Sequence, residues 1–211
     1  MPDPLAIGID VGSTTTKVVL AEGARVLDAE LAATGANARC TAERLLDRVL
    51  ARCNRQRREV QATVATGYGR RLIPFASRTV SEITAIARGA CALTDPPPRC
   101  VIDIGGQDSK VIVMDEAGIL RDFAMNDKCA AGTGRFLEVM ARALEVELDQ
   151  LGELSLRAGR VLPVNSLCTV FAESEVITLL SRGEKVPDII AGVHASIAKR
   201  IAAMARRVGL R

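Results

Sequence analysis

The residues that could do chemistry in this 211-residue sequence lie in two similar stretches. Residues 9–20 read IDVGSTTTKVVL, and residues 102–113 read IDIGGQDSKVIV. In each stretch an aspartate is followed two positions later by a glycine and seven positions later by a lysine. The equivalent pairs are Asp10 with Asp103, Gly12 with Gly105 and Lys17 with Lys110, and all three have the same separation along the chain. The chain therefore contains a duplicated unit whose period is long enough for a small domain.

Both stretches have the composition of a phosphate site. Glycine at Gly12, and at Gly105 and Gly106, lets the backbone approach a ligand closely. The first turn adds hydroxyl groups beside backbone N–H groups, a concave donor surface suited to anions; they belong to Ser13, Thr14, Thr15 and Thr16. Asp10 and Asp103 could hold Mg²⁺ through water, because magnesium binds one or two carboxylates together with the phosphates of its substrate. The alternative is a pair of ordinary hairpins with polar turns.

The elements that must position these turns read as β-hairpins. In each copy an apolar strand precedes the polar turn and a second apolar strand follows it. The turn is neither a P-loop nor a Rossmann turn, because the G-x-x-x-x-G-K-S/T pattern is missing and a strand follows where a helix should. Between the copies we expect a helix over 41–53 with Thr41 as its N-cap, a strand and glycine turn over 60–69, and a helix over 81–93. Pro96–Pro98 indicates a linker.

The composition narrows the class of protein. Apolar residues make up 48% of the chain and charged residues 25%, as in a globular domain. The net charge of +3 is too small to indicate a nucleic-acid or acidic membrane partner. No apolar run approaches the roughly 18 residues that span a bilayer, and the N-terminus does not read as a signal peptide. We therefore expect a cytoplasmic protein whose six scattered cysteines stay reduced.

Five motifs together resemble one protein family. They are IGIDVGSTTTKVV, TGYGR, IDIGGQDSKVI, NDKCAAGTGRFLE and VNSLCTVFAESEV. The sequence resembles the 2-hydroxyacyl-CoA dehydratase activators (component A), which are grouped with the ATP-binding subunits of benzoyl-CoA reductase in the BadF-BadG-BcrA-BcrD ATPase family. This family is part of the superfamily of acetate and sugar kinases, heat-shock chaperones and actin. The resemblance runs from about residue 5 to the last residue.

The resemblance implies an α/β fold of two ribonuclease-H-like domains of the actin-like ATPase superfamily. The first subdomain would comprise residues 1–96 with the first phosphate hairpin. The second would comprise residues 97–211 with the second hairpin and the cysteine-bearing helices, and would lack the C-terminal adenosine-binding part of the family. Its last element is predicted as an amphipathic helix over 188–208 with Asp188 as N-cap and Gly209 as terminator.

The same resemblance implies an activity. Members form homodimers bridged by one 4Fe–4S cluster, and they use ATP hydrolysis to drive a low-potential electron into a partner dehydratase or reductase. Reduced ferredoxin or flavodoxin would donate the electron. In this sequence the cluster ligands fall on Cys129 and Cys168. The cofactors implied are ATP or ADP, Mg²⁺ and the cluster.

The implied nucleotide site covers both duplicated turns. Phosphate contacts fall on Asp10–Lys17 and on Asp103–Lys110, which includes Gln107 and Asp108. Asp10, Asp103 and Gln107 are the catalytic candidates, and the two aspartates are also the candidates for Mg²⁺. The residues Gly132, Thr133 and Gly134 fit the segment that connects the nucleotide site to the cluster.

Helical patterns after the two cysteines agree with these ligands. Apolar residues recur at helical spacing after Cys129 and after Cys168, so we expect both cysteines at helix N-termini. There the N–H groups and the helix dipole favour the thiolate that iron–sulfur clusters bind. Two ligands per chain make half of a four-cysteine site, which a two-fold dimer would complete. The remaining cysteines read as packing residues; they are Cys40, Cys53, Cys91 and Cys100.

Other functions stay open at this point. Residues 81–86 read SEITAI, where activators often carry a Cys-His pair, so the chain also fits a benzoyl-CoA reductase-type ATP-binding subunit. A redox-free kinase of the same superfamily would keep the phosphate turns without using Cys129 and Cys168. An inactive truncated remnant would keep the fold alone. Iron content and ATP turnover separate these alternatives.

Overall fold

The computed structural model describes residues 3–164 and 168–210. Strands and helices are mixed along the chain, which confirms the predicted α/β class. The chain divides into two compact units, one formed by Met1–Arg99 with Met114–Leu120 and the other by Cys100–Val113 with Arg121–Arg211. Each unit contains one copy of the duplicated stretch.

A five-stranded sheet with the order β3-β2-β1-β4-β5 is the centre of the first unit. Its strands are β1 (Leu5–Val11), β2 (Thr15–Glu22), β3 (Arg25–Ala33), β4 (Ala62–Thr66) and β5 (Arg78–Thr79). The first three strands are antiparallel neighbours, whereas β4 runs parallel to β1. Alternate residues of β1 and β2 are buried, as the two-residue period of a strand requires. The hairpin of the first copy is therefore anchored in the core.

Two helices complete the first unit, α1 (Ala38–Arg52) and α2 (Glu82–Leu93). Short 3-10 turns occur at Arg57–Glu59 and Arg70–Leu72. The buried side of α1 joins the core of the sheet through Leu45, Leu46, Val49 and Leu50. Ser81 caps α2 by accepting a hydrogen bond from the Thr84 N–H group. The predicted positions of both helices are confirmed within a few residues.

The predicted N-cap of α1 is wrong. Asn37 caps the helix, because its side-chain oxygen accepts a hydrogen bond from the Cys40 N–H group at 3.1 Å. Thr41 lies inside the first turn and is buried. Its hydroxyl donates to the carbonyl oxygen of Thr34 at 3.0 Å, so it ties the helix to the segment that follows β3.

A three-stranded sheet with the order β6-β7-β8 begins the second unit. Its strands are β6 (Cys100–Ile104), β7 (Ser109–Met114) and β8 (Leu120–Asn126). The helices are α3 (Gly134–Ala143), α4 (Gln150–Leu156), α5 (Thr169–Ser181) and α6 (Val186–Arg207). Their apolar faces meet in one core, in which Phe136, Met140, Val176, Ile189 and Ile190 are almost fully buried. This core holds α3 and α5, the helices that follow the two candidate cysteines.

The predicted start of α6 is also wrong. The helix begins at Val186 with Lys185 as N-cap, and Asp188 is buried within its first turn. The Asp188 carboxylate accepts hydrogen bonds from the N–H groups of Gly159 at 2.8 Å and Arg160 at 3.2 Å. The Asp188 carboxylate, which was predicted to cap the helix, therefore binds the loop before α5 instead. In the part of the chain that the structure describes, no helix is both long and apolar enough to cross a membrane.

Candidate functional site

The two turns repeat each other in backbone geometry. Asp10 pairs with Lys17 across β1 and β2, and Asp103 pairs with Lys110 across β6 and β7. Each turn is closed by a hydrogen bond from its glycine N–H group, to the carbonyl oxygen of Thr15 at 3.0 Å in the first and of Asp108 at 2.9 Å in the second. The sequence duplication is therefore a structural duplication of the whole hairpin.

Each turn also places its lysine on its aspartate. The Nζ atom of Lys17 lies 2.8 Å from Oδ2 of Asp10. The Nζ atom of Lys110 lies 3.0 Å from Oδ2 of Asp103 and 2.6 Å from Oδ1 of Asp108. The Lys17 side chain is 40% exposed, whereas that of Lys110 is 4% exposed. The first lysine is open to an incoming anion, and the second is built into the turn.

The buried Lys110 keeps its positive charge. Burial alone would lower the pKa of Lys110, but the carboxylates of Asp108 and Asp103 outweigh burial and raise the pKa above its ordinary value. The second turn therefore holds a positive charge at neutral pH, paired with the carboxylates of Asp103 and Asp108. Gln107 is exposed in this turn, where its amide can reach a bound ligand.

Both turns are tightly closed at their glycines, against the backbone in the first turn and against the Asp108 side chain in the second. A Cβ atom on Gly12 would lie 2.9 Å from the carbonyl oxygen of Thr15. A Cβ atom on Gly105 would lie 2.4 Å from Oδ1 of Asp108. Real Cβ atoms do not tolerate such distances from a fixed backbone, so a side chain at Gly12 would open the first turn.

A glycine loop packs directly against the first turn, and reasoning from residue types alone did not place it there. Gly67 has a φ of +89°, and a Cβ atom on it would lie 2.4 Å from the carbonyl oxygen of Val11 and 2.5 Å from Oδ1 of Asp10. The N–H group of Gly69 donates to the same Val11 carbonyl at 2.9 Å. The TGYGR motif thus supports Asp10 from the side of β4. The sequence shows the TGYGR motif but does not indicate that it packs against Asp10 and Val11.

The second turn is hydrogen-bonded to the segment that precedes α3. The N–H group of Gly134 donates to the carbonyl oxygen of Gly105 at 2.9 Å, and that of Arg135 to the carbonyl oxygen of Gly106 at 2.9 Å. The hydroxyl of Ser109 donates to the carbonyl oxygen of Gly132 at 2.5 Å. Gly132, Thr133 and Gly134 therefore lie beside the phosphate turn, in the loop that also carries Cys129.

The two candidate cysteines differ in position. Cys168 is exposed and is the N-cap residue of α5. Cys129 is half-buried in the loop between β8 and α3, where the N-cap of α3 is Thr133. The expectation of a helix N-terminus is therefore correct for Cys168 and wrong for Cys129. The family motif VNSLCTVFAESEV includes residues 165–167, which lie outside the described residues.

Two of the free thiols are the predicted cluster ligands. Iron–sulfur clusters take four thiolates, and Cys129 and Cys168 are two. Among residues 3–164 and 168–210, no group of three or more His, Cys, Asp or Glu side chains could hold a metal ion within one chain. Burial raises the pKa of the Cys100 thiol.

A cavity of about 770 Å³ opens beside the Cys129 loop. Asn126, Cys129 and Gly132 line one side of it, and α6 contributes Lys199 and Arg200 on the other. A Cβ atom on Gly132, which has a φ of +84°, would lie 2.7 Å from Cδ of Arg200. The loop and α6 are thus closely fitted at Gly132, and basic side chains line the space around it.

The helix that Cys168 begins has an exposed apolar face. The exposed fractions of Val170, Phe171 and Ile177 are 64%, 68% and 53%. Val170 and Phe171 lie on the first turn of α5, next to Cys168, and Ile177 lies two turns further along the helix. Apolar groups clustered at one exposed place mark an interaction surface more often than isolated ones do.

The two hairpins are the predicted phosphate turns, and the comparisons with known proteins identify an ATPase family. Residues 7–211 match the BadF/BadG/BcrA/BcrD ATPase family, and the chain belongs to this family. The resemblance deduced from the motifs is thereby confirmed.

Individual relatives narrow the comparison. The chain is 47% identical over 205 residues to the activator of lactoyl-CoA dehydratase of Anaerotignum propionicum, which covers 97% of this chain and 78% of that relative. The structure of component A of (R)-2-hydroxyglutaryl-CoA dehydratase of Acidaminococcus fermentans superposes with a TM-score of 0.92 at 43% identity, covering 99% of this chain and 80% of that chain. The activator of 2-hydroxyisocaproyl-CoA dehydratase of Clostridium difficile with bound ADPNP gives 0.89 at 41% identity, covering 98% and 77%. The fold is therefore that of actin-like ATPase activators.

Proposed function

We propose that this protein is an ATP-hydrolysing activator that transfers a low-potential electron to a partner 2-hydroxyacyl-CoA dehydratase or a related reductase. The observation that carries the proposal is the direct bonding of the second phosphate turn to the loop that bears Cys129, at Gly105–Gly134 and Ser109–Gly132. In a redox-free kinase the same hydrogen bonds would be structural contacts only. The relatives named as dehydratase activators support the same reading.

In this proposal, the two turns bind the phosphates of ATP. Lys17 is exposed enough to exchange part of its contact with Asp10 for a phosphate oxygen. The glycine N–H groups and the hydroxyls of Ser13, Thr14 and Thr15 supply further donors, while Lys110 provides a fixed positive charge in the second turn. The interactions of these groups with the phosphate oxygens would be stronger in the transition state of phosphoryl transfer, where the charge on those oxygens must be stabilised.

Two carboxylates and one amide would take the remaining catalytic roles. Asp10 and Asp103 lie at equivalent strand ends and would hold Mg²⁺ through bound water. Gln107 is exposed in the second turn and would orient the water that attacks the terminal phosphate. The glycine loop at Gly67 keeps the Asp10 carboxylate in place, since it leaves no room for that carboxylate to move toward β4.

Cys129 and Cys168 would hold a 4Fe–4S cluster together with the same two residues of a second copy. A bound cluster would supply one-electron chemistry at low potential. The chain's own contribution is to present Cys168 at the start of α5 and to fix the backbone of Cys129 through Asn126, whose Nδ2 donates to the Cys129 carbonyl oxygen at 2.9 Å. The exposed apolar face of α5 next to Cys168 fits the contact between the two copies.

The protein partners follow from this role. Reduced ferredoxin or flavodoxin would supply the electron, and a dehydratase or reductase that acts on an acyl-CoA would receive it. The CoA thioester would bind that partner, so this chain needs no pocket for it.

A reconstituted activation assay tests the proposal. Anaerobically purified protein, a reductant, MgATP and a purified 2-hydroxyacyl-CoA dehydratase are combined, and dehydration of the acyl-CoA is measured. We expect activity only when both MgATP and the reductant are present, and none when MgADP replaces MgATP. Equal dehydratase activity with and without this protein, in a sample that binds MgATP and is folded, would contradict the proposal.

A further inference from the structure

A buried hydroxyl precedes the lysine in both phosphate turns. Thr16 and Ser109 occupy equivalent positions, because Thr16 pairs with Val11 across the first hairpin and Ser109 pairs with Ile104 across the second. Both residues are fully buried. A buried hydroxyl needs a partner, since water cannot reach it. The partner that each hydroxyl finds shows what each turn is fastened to.

In the first unit, the buried hydroxyl is connected by hydrogen bonds through Thr34 to α1. The hydroxyls of Thr16 and Thr34 are 3.0 Å apart, and the Thr34 hydroxyl donates to the carbonyl oxygen of Gly12 at 2.7 Å. A hydroxyl has one proton, so Thr16 must be the donor in the pair with Thr34. The carbonyl oxygen of Thr34 in turn accepts from Thr41 of α1. The first turn is therefore fastened to a helix that bears neither candidate cysteine.

In the second unit, the buried hydroxyl at the equivalent position is hydrogen-bonded to the loop that carries Cys129. The Ser109 hydroxyl donates to the carbonyl oxygen of Gly132, and the N–H groups of Gly134 and Arg135 bind the turn itself. The side chain of Arg200 packs against Gly132 at the place where a Cβ atom would lie. A shift of the turn would break these hydrogen bonds unless the loop moved with it.

The other end of this loop is fastened as well. Nδ2 of Asn126, the last residue of β8, lies 2.9 Å from the carbonyl oxygen of Cys129 and 3.2 Å from that of Ala131. Thr133 is fully buried, and its hydroxyl donates to the carbonyl oxygen of Ala130 at 2.6 Å. The loop thus keeps its internal shape, and Ser109 connects it to the phosphate turn beside the two backbone hydrogen bonds from Gly134 and Arg135.

From these contacts we infer that Ser109 is a positioning residue that couples ligand binding at the second phosphate turn to the Cys129 loop. The inference rests on the proposed function, because it names the residue through which the nucleotide state would reach the cysteine. The equivalent buried hydroxyls connect the two turns to different elements. The hydroxyl of Thr16 connects its turn to α1 through Thr34, and that of Ser109 connects its turn to the loop that carries Cys129. This difference supplies a matched control within the chain.

Hydrogen exchange read by mass spectrometry tests this coupling in the protein as purified, with and without MgADP. In the wild type, MgADP should slow exchange in residues 103–110 and in residues 127–136, each by about fivefold or more. In Ser109→Ala the slowing should remain in 103–110 and fall to about half or less in 127–136, where the backbone hydrogen bonds of Gly134 and Arg135 remain. A purely structural role would weaken protection of both segments equally in both states. Ser109→Thr, which restores the residue type found at Thr16, should recover the coupling.

The control is Thr34→Val, which removes the equivalent hydroxyl contact in the first unit and should leave the response of residues 127–136 intact. A full response of 127–136 to MgADP in Ser109→Ala would overturn the inference. Should Ser109→Ala fail to fold, the wild type still decides, because MgADP protection of 103–110 without protection of 127–136 would overturn the inference equally.

A failure of the proposed function gives a different result. If the wild type binds no MgADP, the proposed function is contradicted, and the nucleotide-free samples test Ser109 alone. Exchange in residues 127–136 should then be about fivefold faster in Ser109→Ala than in the wild type, and unchanged in Thr34→Val. Equal rates in all three proteins would overturn the positioning role.

Discussion

Lys110 forms an ion pair with Asp103, with 3.0 Å between Nζ and Oδ2, at a place where the lysine side chain is 4% exposed. The equivalent pair of the first copy, Lys17 with Asp10, has almost the same distance but leaves the lysine 40% exposed. One duplicated pair therefore serves two purposes. The buried pair stabilises its turn, and the exposed pair is available to a ligand.

Lys17→Ala should abolish ATP turnover and leave the fold and the iron content unchanged. The exposed pair contributes at most about 0.5 kcal/mol to the free energy of unfolding, because solvent screens it. Its loss removes the cation that faces the phosphate. ATP hydrolysis, thermal unfolding and iron content of the same sample check this. Simultaneous loss of iron and of the folding transition would show that the residue is structural.

Lys110→Met should destabilise the protein by about 2 kcal/mol, because it leaves the carboxylates of Asp103 and Asp108 without their buried counter-ion. Urea unfolding of both lysine variants measures the contrast. A smaller effect for Lys110→Met than for Lys17→Ala would contradict the division of roles between the two turns.

The effect of Lys110 on stability should depend on pH in one direction. Its pKa is raised in the folded protein, so its stabilisation is fully present below the ordinary lysine pKa of about 10.4 and is lost as pH rises through the folded value. The difference in unfolding free energy between the wild type and Lys110→Met should therefore stay constant from neutral pH to about pH 9 and shrink above about pH 10.4. A difference that grows with alkaline pH would contradict this assignment.

Gly67→Ala should reduce ATP turnover by about tenfold or more, since its Cβ atom would push against the Val11 carbonyl and the Asp10 carboxylate. Gly183→Ala is the matched control. Gly183 also has a positive φ, of +76°, but nothing lies within 4 Å of its added Cβ atom. Both variants should lose about 1 kcal/mol from backbone strain. Gly67→Ala should lose further stability through its clash with Val11, and only Gly67→Ala should lose activity. Equal turnover in the two variants would remove the glycine loop from the site.

Phe171→Asp should convert a dimer to a monomer, because it places a charge on the exposed apolar face of α5 beside Cys168. Leu156→Asp on α4 is the control, since Leu156 is 87% exposed but stands apart from that face. Mass measurement by light scattering reports the outcome. A Phe171→Asp protein that remains dimeric would place the contact between copies elsewhere.

Much of this site could be predicted from the sequence, because the signals were local. The spacing of aspartate, glycine and lysine fixes the register of a hairpin, and the register is observed in both copies. The third strands, β3 and β8, went unpredicted. Their residues are largely exposed, so their sequences lack the apolar alternation that marks a half-buried strand.

What the sequence could not show was contact between distant segments. The side chains of Thr41 and Asp188 looked like helix caps, but tertiary partners use them, the Thr34 carbonyl in one case and the Gly159 N–H group in the other. The packing of Gly67 on Asp10 has the same origin. Propensity gives the residue types that can cap or turn, and the fold decides which partner each one meets.

Cys129→Ser and Cys168→Ser should each lose most of the iron while MgATP binding remains, because the phosphate turns do not depend on the thiols. Cys40→Ser is the control, since Cys40 is exposed on α1 in the other unit. Iron retained at the wild-type level in Cys129→Ser would remove that residue from the ligand set.

The most direct test of the account is the iron and acid-labile sulfide content of anaerobically purified protein, with the oligomer mass from the same sample. The account predicts a dimer with about two iron atoms and two sulfides per chain, which corresponds to one 4Fe–4S cluster held by Cys129 and Cys168 of both copies. A folded, nucleotide-binding protein that contains no iron would contradict the account, because such an ATPase would have no cluster from which to transfer an electron.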